Sequence, residues 1–386
     1  SNGYSGASVS LSSDGTIVSV GSAGSSARVF EYGVEQSSDE ILWGQLGVDI
    51  DGEASYNQSG YSVSLSSDGT IIAIGAPLDD GNGSNSGHVR VYKYNGTSWN
   101  KLGDDIDGEA SDDQSGYSVS LSSDGTIIAI GAPLNDGNGI DNGHVRVYKY
   151  NGSSWNKLGD DIDGKAVQNE SGYSVSLSSD GTIVAIGAPY NDGNGSNSGH
   201  VRVYKYNGSS WNKLGQDIAG EASGDQSGWS VSLSSDGTIV AIGAIRNDGN
   251  GIYSGHVRVY KYNDTSWNQL GQDIDGEAVQ NESGYSVSLS SDGTIIAIGA
   301  PLNDGNGVHS GHVRVYKYND TSWNQLGQDI DGEASGDQSG DSVSLSSDGT
   351  IIAIGAIYND GNELNSGRVR VYKYNGSSWN KLGQDI

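Results

Sequence analysis

The chain has 386 residues, and 48 Asp and Glu against 20 Lys and Arg give a formal charge of −28, a field that repels phosphate backbones and anionic lipid and so argues against nucleic-acid and membrane-surface partners. The absence of cysteine excludes disulfides, thiolate metal sites and cysteine nucleophiles. No stretch of about 18 apolar residues is present, so no membrane insertion by a helix is expected.

Seven tryptophans, Trp43, Trp99, Trp155, Trp211, Trp267, Trp323 and Trp379, recur every 56 residues, and a period of this size signals a repeat architecture. Residues 57–112 represent the unit. Tyr61, Val63 and Leu65 alternate with Ser62, Ser64 and Ser66, the period of two of a first strand. Asp68-Gly69 reads as a two-residue hairpin turn, because glycine accepts the positive φ such a turn needs. Ile71 to Gly75 is an apolar second strand, buried on both faces. A polar loop, Leu78 to Gly87, leads to a third strand, HVRVYKY, with His88, Arg90, Tyr92 and Tyr94 on one face and Val89, Val91 and Lys93 on the other. Asn95-Gly96 makes the next turn, and Trp99 through Leu102 the fourth strand.

Four antiparallel strands repeated seven times predict an all-β, seven-bladed β-propeller whose radial closure protects the sheet edges. A long open β-solenoid fits less well, because its coils are usually shorter. The units fall at 1–54, 55–110, 111–166, 167–222, 223–278, 279–334 and 335–386 of a single domain. Ser1 aligns with Ser55 and Ile386 with Ile330, so each blade is expected to take its strands from one contiguous stretch, with no strand exchange at closure. A start without initiator Met or signal-like segment is expected of a mature product or an excised part of a longer, exported parent.

The strings SGYSVSLS, IAIGAP and GHVRVYKY, in that order, resemble the FG-GAP repeat of integrin-α-type propellers across all seven units. Gly-Ala-Pro stands at 75–77, 131–133, 187–189 and 299–301, Ile245 and Ile357 replace the proline in two copies, and the first unit has Gly21-Ser22-Ala23. The resemblance implies a propeller, an extracellular or cell-surface setting, and work by binding or adhesion rather than catalysis. Many FG-GAP blades hold calcium between the first and second strands, but SSDGT is too short to wrap a cation.

The other acids are sorted by strand order onto one rim. The NDGNG-type loops bring Asp80, Asp136, Asp192, Asp248, Asp304 and Asp360 there, and linkers such as that with Asp107 and Glu109 join them. Carboxylates, Asn side chains and Gly-permitted carbonyls are calcium's ligands, so these six aspartates are candidate Ca²⁺ sites; turn formers on a solvated rim are the favoured explanation. His88, His144, His200, His256 and His312 share one repeat position and read as structural, and the periodic tryptophans as packing pieces with a usable N–H.

Asn95, Asn151, Asn207, Asn263, Asn319 and Asn375 each open an N-glycosylation acceptor pattern in a turn. In the fifth unit Trp229, Arg246 and Tyr253 add aromatic and guanidinium surface, with Ala219 in place of a linker Asp just before it. These are residue types enriched at binding hot spots, and they form a candidate recognition patch for a glycan or a peptide carboxylate.

No nucleophile–base constellation, GxSxG elbow or HExxH helix occurs, so no enzymatic activity is expected. The leading expectation is a binding or adhesion module with a protein or glycan ligand. The alternatives are a building block of a surface layer, sheath or appendage, whose partners are copies of itself, and a multivalent lectin-like glycan binder.

Overall fold

A computed structural model describes residues 4–24, 26–35, 41–361 and 366–386; Ser1, used in the alignment of the ends, lies outside them. Seven antiparallel sheets, each from one contiguous stretch, form a seven-bladed β-propeller with no helix among the described residues. In the second blade the strands are Ser62–Leu65, Ile71–Ala76, His88–Tyr94 and Trp99–Lys101. The first strands contact each other around the ring, and Ser5–Leu11 meets Ser339–Leu345 to close it.

The core lies between blades. Ile71, Ala73, Val89 and Val91 of the second blade pack against Leu121, Ile128 and Ile130 of the third, and the last junction sets Ile351, Ala353, Val369 and Val371 against Val9, Leu11, Val18 and Val20. Both faces of each middle strand are covered, which is why the IIAIGA run is apolar throughout. The serines of the first strand face the neighbouring blade. Ser62 Oγ donates to the Gly116 carbonyl at 2.8 Å, and Leu121 N–H donates to Ser64 Oγ at 3.0 Å.

Two local readings need correction. The Asp68-Gly69 turn is longer than two residues, because Ser66 still pairs with Ile71. Gly69 alone of the two takes a positive φ, and Asp68 Oδ1 accepts from Ser66 Oγ, Thr70 N–H and Thr70 Oγ1. The fourth strand is also interrupted. After Lys101 the chain bulges through Leu102 and Gly103 and rejoins the same edge at Ile106–Asp107, opposite His88 and Val89.

That bulge receives the next blade's tryptophan: Trp155 Nε1 donates to the Leu102 carbonyl at 2.7 Å, with its ring against Gly103. The bond recurs at every junction, and Trp43 closes the ring on Leu382 at 2.7 Å.

Candidate functional site

The central channel has two ends of different character. At the hairpin end the first-to-second-strand turn is SSDGT in all seven blades. There the backbone N–H of Ser13 donates to Ser67, Ser67 to Ser123, and so on through Ser179, Ser235, Ser291 and Ser347 back to Ser13, each at 2.8 to 2.9 Å. A polar cavity of 320 Å³ lies inside this seven-serine ring. The residues are the same in every blade, so this end has no distinctive patch.

The loop end differs from blade to blade. The residue two before the first-strand valine of each blade lines the channel mouth, and in ring order these are Ala7, Tyr61, Tyr117, Tyr173, Trp229, Tyr285 and Asp341. Five are aromatic and form an arc of tilted pairs: Tyr61–Tyr117 and Tyr117–Tyr173 at 4.9 Å, Tyr173–Trp229 at 4.7 Å and Trp229–Tyr285 at 5.6 Å. The arc is broken at two adjacent blades by Asp341 and Ala7. A cavity of 300 Å³ opens there, lined also by Tyr4, Ala23, Ile357 and Tyr358. Tyr4 and Tyr358 meet edge to face at 5.5 Å.

Burial pushes the Asp341 carboxyl up to about 7, and its side chain has no hydrogen-bond or ion-pair partner among the described residues. The phenols of Tyr61 and Tyr285 are raised far above their usual value, first by burial and then by neighbours that include Asp341.

The sequence patch is divided by the structure. Trp229 belongs to the channel arc, whereas Arg246 and Tyr253 are exposed on the fifth blade's loop, the guanidinium 5.5 Å from the tyrosine ring centre. Arg246 also acts electrostatically on Tyr190 and on Glu282 in the flanking blades. Ala219 still offers its carbonyl to Arg258 at 3.0 Å, as Asp107 does to Arg146 at 2.8 Å. Asp341 and Ala7 were missed in the sequence, although reading down the one repeat position that holds Trp229 exposes both.

The six loop aspartates are all exposed. In five, Oδ1 accepts the backbone N–H of the residue five positions on: Asp80 from Asn85, Asp136 from Asp141, Asp192 from Asn197, Asp248 from Tyr253 and Asp304 from His309, at 2.8 to 2.9 Å. Those donors have φ near 50°, so the carboxylate clamps a left-handed residue in place. No aspartate of this set shares a ligand-spaced group with other acids or histidines among the described residues, and in five of the six one carboxylate oxygen is already engaged by its own loop's backbone.

Ligand-spaced groups occur instead beneath the linkers, as in Glu109, His144 and Asp161. Each is already an ion-pair network between blades. Arg146 Nη1 lies 3.4 Å from Glu109, Lys157 2.8 Å from Asp161, and burial, then Arg146, pushes His144 down to about 4. The linker from the third to the fourth blade has Lys165 in place of the Glu, and Asp217 takes up Arg202, Lys165 and Lys213. In each of the four ligand-spaced groups the glutamate also pairs with a buried arginine, Arg90, Arg146, Arg258 or Arg314.

The six sequon asparagines stand in exposed turns, each Oδ1 accepting from the Ser or Thr two residues on, as Thr97 N–H and Oγ1 do to Asn95 at 3.0 and 2.9 Å.

The FG-GAP repeat family matches residues 48–92, 105–148, 163–204, 219–260 and 330–372, more than half the chain. No curated protein sequence matches it. Among solved structures, Kuenenia stuttgartiensis hydrazine synthase matches with a TM-score of 0.59 and 12% identity, over 98% of this chain and 97% of that one. A protein named "putative 6-phosphogluconolactonase" from Bacteroides uniformis ATCC 8492 matches with a TM-score of 0.59 and 12% identity, over 94% and 96%. Identity this low shows a shared fold alone. Both neighbours are named as enzymes over almost the whole ring, which overturns the expectation that this chain is not an enzyme: the absence of a familiar motif does not exclude catalysis on this architecture.

Proposed function

The chain belongs to the FG-GAP repeat family, and from that premise we propose that it is an extracellular ligand-binding module whose binding face is the loop end of the ring, centred on the channel mouth. The observation that carries this reading is the broken aromatic arc. Four of the seven mouth positions are tyrosine and one is tryptophan, and where Asp341 and Ala7 depart from them a 300 Å³ cavity walled by aromatic rings opens, the size and lining of a small-ligand site. Arg246 and Tyr253, exposed on the same face, add contacts beyond the mouth. FG-GAP repeats are typical of extracellular proteins, and no helix among the described residues is long and apolar enough to cross a membrane.

The test is a ligand screen read at the mouth. Tryptophan fluorescence of the protein and of Trp229→Phe is compared while glycans, peptides and small ions are titrated, with melting curves to confirm that the variant is folded. Ligand-induced changes that disappear with Trp229→Phe support the mouth. Ligands that map only to the hairpin end or the outer blade edges overturn it.

A further inference from the structure

Every wall of the mouth cavity except one is uncharged. Tyr4, Ala7, Ala23, Ile357 and Tyr358 supply apolar surface, Tyr61 and Tyr285 supply phenol oxygens, and Asp341 is the one carboxyl group among the lining residues, with no lysine, arginine or histidine beside it. An unpaired carboxylate in a confined space is costly unless a partner brings the opposite charge. The protein's charge of −28 draws cations towards the ring. A metal ion is poorly served, because one carboxylate and a few phenols fall short of the oxygen set that calcium takes. A neutral sugar would leave the carboxylate uncompensated.

Resting on the reading of this face as the binding face, we infer that the slot between the seventh and first blades seats an alkylammonium group, its N–H donors on the Asp341 carboxylate and its stem against Tyr4, Ala7, Ala23 and Ile357. The ammonium has three donors and no acceptor, which complements a carboxylate flanked by the Tyr61 and Tyr285 oxygens. Ala7 is as important as Asp341: it stands where five other blades carry a large ring, and its small size leaves the slot open. The same chemistry is offered by a free alkylamine and by a lysine side chain of a protein partner.

Binding should depend on pH through Asp341. Its carboxyl, held up to about 7 by burial, must lose its proton to meet the cation. No other charged side chain lines the cavity among the described residues, and Tyr61, Tyr117, Tyr173 and Tyr285, all raised first by burial, remain neutral.

The experiment is calorimetry on the full chain with butylammonium chloride at pH 6.0 and pH 8.5, with 1-butanol as the uncharged isostere and N-acetyl-lysine-methylamide as the peptide-like arm. Affinity should rise about tenfold from the lower to the higher pH. Asp341→Asn should lose at least tenfold and flatten the pH dependence, and Ala7→Tyr should abolish binding by filling the slot, each with a melting curve showing it folded. Stronger binding of the lysine derivative than of butylammonium assigns the site to a protein partner, and the reverse to a free amine; either supports the inference. Equal binding of butanol, unchanged binding by Asp341→Asn, or no heat from the wild type at either pH overturns it. If the ammonium fails while other ligands still respond to Trp229→Phe, the binding face stands and only the ligand class falls.

Discussion

Gly131 of the third blade lies against the carbonyl of Gly172 in the fourth so closely that a methyl group on either would meet backbone: the Gly131 Cα would be 3.2 Å from a Cβ on Gly172, and a Cβ on Gly131 would overlap the Gly172 oxygen. Ser118 Oγ, paired beside Gly131, donates to the same oxygen at 2.8 Å. The contact recurs at each junction, including Gly355 with Gly6. The glycine that opens the first strand and the glycine of the Gly-Ala-Pro string are therefore two halves of one inter-blade contact. Gly131→Ala should force the blades apart and cost more than about 3 kcal/mol, in the range of severe overpacking. Urea unfolding checks this; a loss below about 1 kcal/mol would show that the junction can relax.

The ring was legible because its cause is periodic: Trp43 to Trp379 at 56-residue spacing, with alternating Val, Leu and Ser, leave few folds open. The broken fourth strand was not, because the Leu102-Gly103 bulge exists to receive Trp155 from the next blade, a contact that one unit read alone does not contain. The mouth was hidden for a related reason. Asp341 and Trp229 look like isolated departures until the first strand is known to be innermost, when residues a whole repeat or more apart become neighbours around one channel. The loop aspartates stood out by composition, yet composition does not reveal that each Oδ1 is directed at its own loop's backbone.

Four junctions carry an extra clamp. Gln216, Gln272, Gln328 and Gln384 each grip both backbone groups of the following blade's Trp267, Trp323, Trp379 or Trp43. Those four tryptophans are buried, whereas Trp99, Trp155 and Trp211, which follow Val48, Asp104 and Asp160, are half-buried, and a cavity of 180 Å³ lies between Asp104 and Trp155. Asp104→Gln should supply the missing clamp and raise stability by about 1 kcal/mol, the net worth of a new hydrogen bond or two. Thermal melts of this variant, beside Gln384→Ala as the loss at the closure, decide it; no gain would show that Asp104 is held off the tryptophan.

Two outer turns use aspartate where the others use glycine, and Asp264 and Asp320 take φ of 71° and 73°. A non-glycine residue is strained there. Asp264→Gly and Asp320→Gly should each stabilise by about 0.5–1 kcal/mol and leave the sequon intact, as read by urea midpoints; loss of stability would mean that the aspartate side chain makes a compensating bond.

Acid should destabilise the ring through its histidines. Burial, and next the adjacent arginine, pushes His144, His256 and His312 down to about 4 and His200 to about 3. With unfolded values near 6.5, the unfolded chain binds more protons between about pH 4 and pH 6.5, so stability falls as pH drops through that window. Asp341 and Glu170, both raised to about 7 mainly by burial, act oppositely: native protons that the unfolded chain has released make stability fall as pH rises towards 7. Asp107, Asp163, Asp275, Asp331 and Glu282 are raised too, chiefly by burial, and blunt the decline, while the lowered aspartates, Asp217 among them, extend it to lower pH. Urea midpoints at pH 7.0, 5.5 and 4.5 should decline, and His144→Gln should flatten the slope by up to about 1.4 kcal/mol per pH unit; an unchanged slope would assign the protons elsewhere.

The loop aspartates give the sharpest separation between a turn former and an ion ligand. Asp136 Oδ1 holds the N–H of Asp141 at 2.9 Å, in a residue with φ of 50°. An Asn keeps that acceptor and removes the charge, so Asp136→Asn should stay within about 0.5 kcal/mol of the wild type. Asp136→Ala leaves the N–H to water and the left-handed residue unsupported, and should cost about 1 kcal/mol. The clamp makes both effects independent of calcium, since its partner is backbone. Melting curves of the three chelator-stripped proteins with and without calcium provide the measurement. A calcium-dependent rise in the wild type that Asp136→Asn loses in part would show that the carboxylate's second oxygen serves an ion after the first has closed the loop.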